Sequence, residues 1–220
     1  MRRLIVNADD FGFAAGVNEG IIEAHANGIL TSTSLMVDRP AAEDAARLAR
    51  AHPALSVGLH YEEDGPEIDE PGHAARTFAA QLARFRELTG AEPTHVDSHH
   101  HVHRSRMSTF APLVAPLGVP LRGDGRVDYL GEFYGQPRRG VVELDHVRTP
   151  FLLELLSRDA VTARFTEVGC HPARVTDDLH SSYTSEREVE LATLTEPDLR
   201  ARIEELGLTL ASYHDWRTAT

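Results

Sequence analysis

The sequence predicts an α/β protein on a mainly parallel sheet, in the form of a compact, incomplete (β/α) barrel; a doubly wound open sheet is the alternative. Three observations predict it. Short β-rich runs alternate with helical patterns about seven times along the chain. No repeat, low-complexity tract or linker interrupts that alternation, so residues 1–220 read as one domain. A chain of 220 residues also buries roughly 70% of the surface it exposes when unfolded, enough for such a core.

Each element follows from local signals. Residues 4–8 are apolar and β-rich, a strand that runs into Asp9-Asp10. A helix is predicted over 17–27, with Ile21, Ile22 and Ala24 inside it and Gly28 as its stop. The β-branched stretch 31–37 is a second strand, and the Ala-rich stretch 41–51 a second helix. A third strand covers 55–60, and a helix over 76–88 closes at Thr89-Gly90. A fourth strand covers 94–97. Residues 108–117 are helical but broken by Pro112 and Pro116, and a fifth strand follows over 119–122. The Gly-rich segment 123–148 is expected as a long irregular loop with one short strand at 141–144. Thr149-Pro150 is an N-cap and first-turn pair for a helix that runs to Ser157. A strand over 165–170, a loop over 172–185 and a helix around 186–192 come next. Thr195 to Asp198 caps a last helix to 206, Gly207 stops it, and 208–212 is the final strand.

Composition removes several functions. The net charge is −12, so the chain's own field repels phosphates, and neither nucleic acid nor an anionic membrane is an expected partner. All 22 basic residues are Arg, which excludes Schiff-base chemistry, the phosphate-loop lysine and a carbamylated lysine bridging two metals. The single Cys170 permits no intramolecular disulfide. The apolar run after Met1 is too short for a signal peptide, and no stretch is long enough to span a membrane; a cytoplasmic protein is expected.

Polar residues gather at the ends of the predicted strands: Asp9 and Asp10, His60, Asp97 and His99, and His171. In a parallel sheet those ends share one face, which carries the active site in barrels and the ligand crevice in open sheets. Five imidazoles stand between His95 and His103, and His95, Asp97, His99, His101 and His103 share one parity of an extended strand. The run reads either as a metal site or as a solvated His-rich loop, and the carboxylates of another strand end favour the metal. Asp9-Asp10 reads either as a helix N-cap or as two functional acids, one on a metal and one toward a reacting water. Cys170 reads as a small buried residue. One Asp and two His make a common divalent site, and beside it a free carboxylate and a free imidazole make a kit for hydrolysis of an amide or ester.

Four motifs in order, the stretch from Ile5 to Gly12, then Val57-Gly58-Leu59-His60, Thr94 to His103, and Cys170-His171-Pro172, resemble the YdjC-like carbohydrate deacetylases over essentially the whole chain. The resemblance implies a distorted (β/α) barrel that removes N-acetyl groups from an amino sugar or short oligosaccharide. Carried over residue by residue, it implies Asp10, His60 and His99 as ligands of one divalent ion, Mg²⁺ or Zn²⁺. Asp9 would be the base that activates water and His171 the acid that protonates the departing amine. Asp97, His101 and His103 would orient these groups, and Tyr134, with Tyr129 and Phe133, could meet the sugar. The sequence departs from the family's pattern at Tyr61 to Asp64, where an apolar, Thr-containing stretch is usual, and in the short segment from His60 to His95. A non-haem Fe(II) oxygenase using the same Asp/His/His set and a non-catalytic metal- or sugar-binding protein are the other readings. The expected partner is an N-acetylated sugar, with a homodimer as the expected assembly.

Overall fold

The computed structural model describes residues 2–63, 65–138, 140–158 and 164–219. The chain runs β1 (Arg2–Phe11), α1 (Ala15–Asn27), β2 (Ser32–Leu35), α2 (Ala42–Ala51), β3 (Ser56–Tyr61), α3 (His73–Thr89), β4 (Val96–Ser98), α4 (Met107–Val114), β5 (Asp128–Leu130), α5 (Thr149–Ser157), β6 (Phe165–Cys170), α6 (Ser185–Leu194), α7 (Leu199–Glu205), β7 (Leu208–Ala211) and α8 (Tyr213–Ala219). The strands pair in the order β4-β3-β2-β1-β6-β5, and every pairing of named strands is parallel. β1 is long enough to take two neighbours along one edge. β7 pairs with Arg2–Ile5 and β2 with Asn7–Phe11, while β6 pairs along the other edge. Among the described residues no helix is long and apolar enough to cross a membrane.

The sheet is curled, not open. Arg122, just beyond the β4 edge, hydrogen-bonds Glu167 of β6 near the opposite edge, with Nε to Oε1 at 3.0 Å. At the bottom, the Tyr213 ring stacks on His95 with centroids 3.9 Å apart, and the Tyr213 amide donates to Ser56 Oγ at 3.2 Å. Those cross-barrel contacts exclude the doubly wound alternative.

Strand alternation then sorts the side chains. Leu4, Val6 and Ala8 face outward and join the large core beneath the helices, where Val17, Ile21 and Ala24 of α1 repeat at helical spacing. Ile5, Phe165, Ala211, Tyr213, Trp216 and Val127 form a separate apolar cluster that plugs the bottom of the barrel. Above that plug the same inward parity carries Asn7, Asp9, Asp97 and Glu167, all buried. The barrel interior is therefore apolar below and charged in its middle.

The differences from the sequence reading are local. The strand expected over 119–122 is reduced to a single bridge, Val96 to Leu121. No strand forms at 141–144, where Val141 makes one bridge to Arg138; the strand of that region lies at Asp128–Leu130, paired with β6. Pro120 has no amide to donate, which limits ladder formation in the first case. In the second, pairing with a buried neighbour outweighs local propensity. Thr149 is the first helical residue of α5, not its cap, and its hydroxyl goes to Glu196. Helix α8 had no sequence signal; Tyr213 and Trp216 bury into the bottom plug and hold it.

Candidate active site

A cleft of about 1010 Å³ opens at the C-terminal ends of the strands and is lined by Asp9, Asp10, His60, His99, His101, Tyr129, Tyr134, His171 and Arg187 among others. Asp9, Asp10, His60, His99 and His171 of the strand-end set reach this face because the strands are parallel. Asp97 lies one layer deeper and is fully buried.

Asp9 and Asp10 would point to opposite faces of a regular strand. Asp10 instead has φ 69°, and the β1–β2 register shifts between Ala8 and Phe11. This left-handed residue, a conformation costing roughly 1 kcal/mol or more outside glycine, turns the second carboxylate into the cleft beside the first. The N-cap role weighed for the pair is absent: α1 is preceded by Ala14, with no side-chain cap.

Asp10, His60 and His99 each offer a ligand atom, and these atoms lie within 4.8 Å of one another. His60 Nδ1 donates to Asp97 Oδ1 at 2.7 Å, which leaves Nε2, 3.5 Å from Asp10 Oδ1, as the ring atom that either a proton or a metal ion would occupy. That Nε2 is buried and has no hydrogen-bond partner among the described residues. His99 Nδ1 is 3.1 Å from the same Asp10 oxygen. Four buried carboxylates, Asp9, Asp10, Asp97 and Glu167, face two buried guanidiniums, Arg122 and Arg187. Burial disfavours the imidazolium of His60, but the charge of Asp97, the hydrogen bonds to Asp10 and Asp97 and the charge of Asp9 together outweigh it and raise the group to about 10. Surroundings that favour a proton there favour a cation at the same place. The donor set, an imidazole fixed through its far nitrogen by a carboxylate and aimed at a second carboxylate, fits a divalent ion.

Arg122 lies outside the four sequence motifs. Its Nη1 donates to Asp9 Oδ2 at 2.8 Å and its Nη2 to Asp9 Oδ1 at 2.7 Å. The same guanidinium reaches Asp97 Oδ2 at 2.7 Å and Glu167 Oε1 at 2.6 Å. Burial alone would push Asp9 up, but Arg122 outweighs it and holds the carboxyl below its ordinary value. Burial likewise opposes ionisation of Asp10, and Arg187, with Nη2 on Asp10 Oδ2 at 2.6 Å, holds it well below the usual range. His171 Nε2 lies 3.9 Å from Asp9 Oδ2. Burial lowers His171 to about 4 despite both aspartates.

The rest of the His run does not keep one parity. The strand ends at Ser98, and His100 and His101 both have positive φ, so 99–101 is a tight turn. His99 and His101 line the cleft. His103 is buried below it; its Nε2 donates to the Arg122 carbonyl at 2.9 Å, so its Nδ1 accepts from Ser98 Oγ. His95 lies below the cleft, stacked against Tyr213. Cys170 is buried, and burial pushes its thiol well up, which suits packing and not nucleophilic attack.

Of the three aromatics in the 122–140 segment, Tyr129 sits over the Arg122 guanidinium, 4.6 Å from its centre. Only glycine fits beneath it at 169, where a Cβ would stand 2.6 Å from the Tyr129 oxygen. Phe133 is buried. Tyr134 stacks on Tyr183, with centroids 4.6 Å apart and planes within 4°, and both rings meet the His171 ring edge-on. Glu62 and Glu63, in the segment where the family pattern is broken, are bound by Arg39 and by Tyr61 and His73; Asp64 lies outside the described residues.

Arg122 ends a predicted strand, so the strand-end rule that found the others applied to it as well. Glu167, Arg187 and Glu190 carry no such mark; they are ordinary charges of a strand and a helix until the fold buries them.

A family model described as YdjC-like protein matches residues 3–62 and 68–205. A carbohydrate deacetylase from Geobacillus stearothermophilus is 38% identical, with 98% of this chain and 98% of that protein covered. A chitooligosaccharide deacetylase from Klebsiella pneumoniae is 36% identical, with 97% and 99% covered. A solved structure from Enterococcus faecalis V583, provisionally assigned to cellobiose-phosphate cleavage, matches with TM-score 0.77 at 26% identity, covering 97% of this chain and 98% of that one. A family 4 carbohydrate esterase from Streptomyces lividans, in complex with acetate, matches with TM-score 0.58 at 13% identity, covering 96% and 92%; that likeness is one of fold.

Proposed function

The chain belongs to the YdjC-like family, and from that premise we propose that it is a metal-dependent carbohydrate N-deacetylase acting on an amino sugar or short oligosaccharide. The observation that carries the reading is His60: one ring nitrogen is tied to Asp97, and the other is unpartnered, buried and aimed at Asp10. Asp10, His60 and His99 would hold the ion, Mg²⁺ or Zn²⁺. Such an ion polarises an acyl carbonyl and acidifies water when bound.

The chain's own residues supply the proton transfers. Asp9 is ionised at neutral pH because Arg122 stabilises its charge. Its Oδ1 accepts from Arg122 and, at 3.0 Å, from Asn7. Oδ2 accepts only from Arg122 among the described residues and faces His171, so the water proton passes to Oδ2. His171 is neutral at rest, because burial lowers it to about 4, so its Nε2 takes that proton from Asp9 Oδ2, 3.9 Å away, and passes it to the amide nitrogen as the C–N bond breaks; acetate and the free amine leave, and Asp9 is again ionised. Tyr134 lines the cleft beside His171 and would meet the sugar ring.

The test is acetate release from N-acetylglucosamine and short chitooligosaccharides, with added metal, with chelator and with Asp9→Asn. Release that chelator abolishes and metal restores, and that the variant lacks, is the expected result. Release indifferent to chelator would remove the ion from the reading. Oxygen uptake with added Fe(II) and no acetate would replace the hydrolase with the oxygenase.

A further inference from the structure

A general-acid histidine is ordinarily oriented through its second ring nitrogen. His171 is not: its Nδ1 is buried, and no group among the described residues meets it. The residue is held instead by its peptide. Its amide N–H donates to Glu190 Oε2, and its carbonyl accepts from Arg187 Nη1 at 3.4 Å. Glu190 and Arg187 lie three apart on α6 and so share a face of that helix. The imidazole is bounded by the Tyr134 and Tyr183 rings, 5.5 and 5.6 Å away and both edge-on. Glu190 joins the two devices, because the Tyr183 hydroxyl donates to its Oε1. That hydroxyl in turn accepts from the Gly135 amide at 2.8 Å, next to Tyr134.

We propose that Glu190 and Tyr183 are positioning residues for His171: the Glu190 carboxyl locks the His171 peptide and the Tyr183 ring into one unit, and that unit aims Nε2 at the leaving nitrogen. The proposal rests on His171 as the acid. Glu190 touches no reacting atom and acts only through His171 and Tyr183. Burial pushes its carboxyl up to about 8, so a neutral glutamine reproduces it at neutral pH. In Glu190→Gln the amide carbonyl would accept from the His171 N–H, and the amide NH₂ would donate to the Tyr183 oxygen, keeping that contact with its direction reversed.

The experiment compares Glu190→Ala, Glu190→Gln, Tyr183→Phe and the double variant Glu190→Ala/Tyr183→Phe with the unaltered chain. It measures kcat and KM for acetate release at pH 7, and the His171 ring resonance in ¹³C-histidine-labelled protein, assigned with His171→Ala. Misaiming a group by about 1 Å costs up to ~10²-fold in rate. Glu190→Ala is therefore expected to lose about 10- to 100-fold in kcat with KM within about twofold. Glu190→Gln should stay within about threefold, and the double variant should be no worse than Glu190→Ala. The His171 resonance should be single and sharp in the unaltered chain and in Glu190→Gln, and broadened or doubled in Glu190→Ala. Unchanged kcat in a folded Glu190→Ala, a loss confined to KM, or failure of Glu190→Gln to rescue would overturn the proposal. If Glu190→Ala does not fold, Tyr183→Phe keeps the stacked ring, removes one bond of the unit and carries the same comparison, with a smaller loss of kcat expected and none overturning it. If the unaltered chain releases no acetate, the deacetylase reading fails. The resonance then judges the positioning unit separately, and an unaltered signal in Glu190→Ala rejects it.

Discussion

Arg122 and Asp9 form a two-pronged ion pair inside the barrel, with Nη1 to Oδ2 at 2.8 Å and Nη2 to Oδ1 at 2.7 Å. Residues 113 apart in sequence meet there because the sheet curls over on itself. The same guanidinium also holds Asp97 and Glu167, and Tyr213 donates to Glu167 Oε2 at 2.7 Å from below. One cation thus ties together three carboxylates of the charged layer on which the cleft stands.

Replacing Arg122 with Met should therefore destabilise the fold by about 3–5 kcal/mol, the usual cost of leaving buried carboxylates unpaired. Urea unfolding measures it. A loss below about 1 kcal/mol would show that the cluster is not electrostatically dependent on this residue.

Asp9→Asn keeps the shape of the pair but removes the charge that accepts a proton. Turnover should fall by at least ~10²-fold while the ion is retained. His60→Ala should lose both ion and turnover. Metal content and acetate release, measured on the same samples, check the pair of outcomes. Ion loss in Asp9→Asn with retention in Asp10→Asn would reverse the two roles.

Asp97 touches His60 and not the ligand atoms themselves. Asp97→Asn should weaken metal affinity about 10- to 100-fold, as removal of an orienting partner does. Calorimetric titration with Zn²⁺ or Mg²⁺ reads the change directly. Affinity equal to that of the unaltered chain would mean that His60 is oriented by its strand alone.

The stability of the chain should fall as pH rises between about 4.5 and about 8 on account of Glu190. Burial raises its carboxyl from 4.5 to about 8, so the folded state binds the proton that the unfolded state has released in that window. The groups facing Glu190 are His171, Tyr183, Arg187, Asp9, Cys170 and Tyr134, and the Arg187 charge and the bonds from His171 and Tyr183 only partly offset burial. Glu190→Gln lacks this titration. Its stability advantage should grow through the window to the order of 1–3 kcal/mol and then level off. Parallel unfolding curves at pH 5 and pH 8.5 test it, and an unchanging difference would contradict the assignment.

Gly58 lies under the His95 ring, and a Cβ there would stand 2.4 Å from Cε1. Gly58→Ala should cost about 1–3 kcal/mol as an overpacked core does, because His95 is itself held against Tyr213. Thermal unfolding shows it; an unchanged midpoint would mean that the ring can shift at no cost.

Period and punctuation along the chain determined the α/β alternation, the parallel sheet and the strand ends at which Asp9, Asp10, His60, His99 and His171 stand. These are local properties: a strand's apolar run and its terminal polar residue are neighbours in sequence, and parallel pairing alone carries the ends to one face. Tertiary structure decided the rest. β5 forms because β6 offers it an edge, and α8 because Tyr213 and Trp216 close the bottom of the barrel. Asp10 enters the cleft only through a left-handed turn of β1, and the His run breaks its strand parity at Ser98, where the chain turns instead of extending. Arg122, Glu167, Arg187 and Glu190 acquire their roles from burial beside one another. A charge costs little in water and much in a barrel interior, so its partner is chosen by the fold that buries it and not by the residues next to it in the chain.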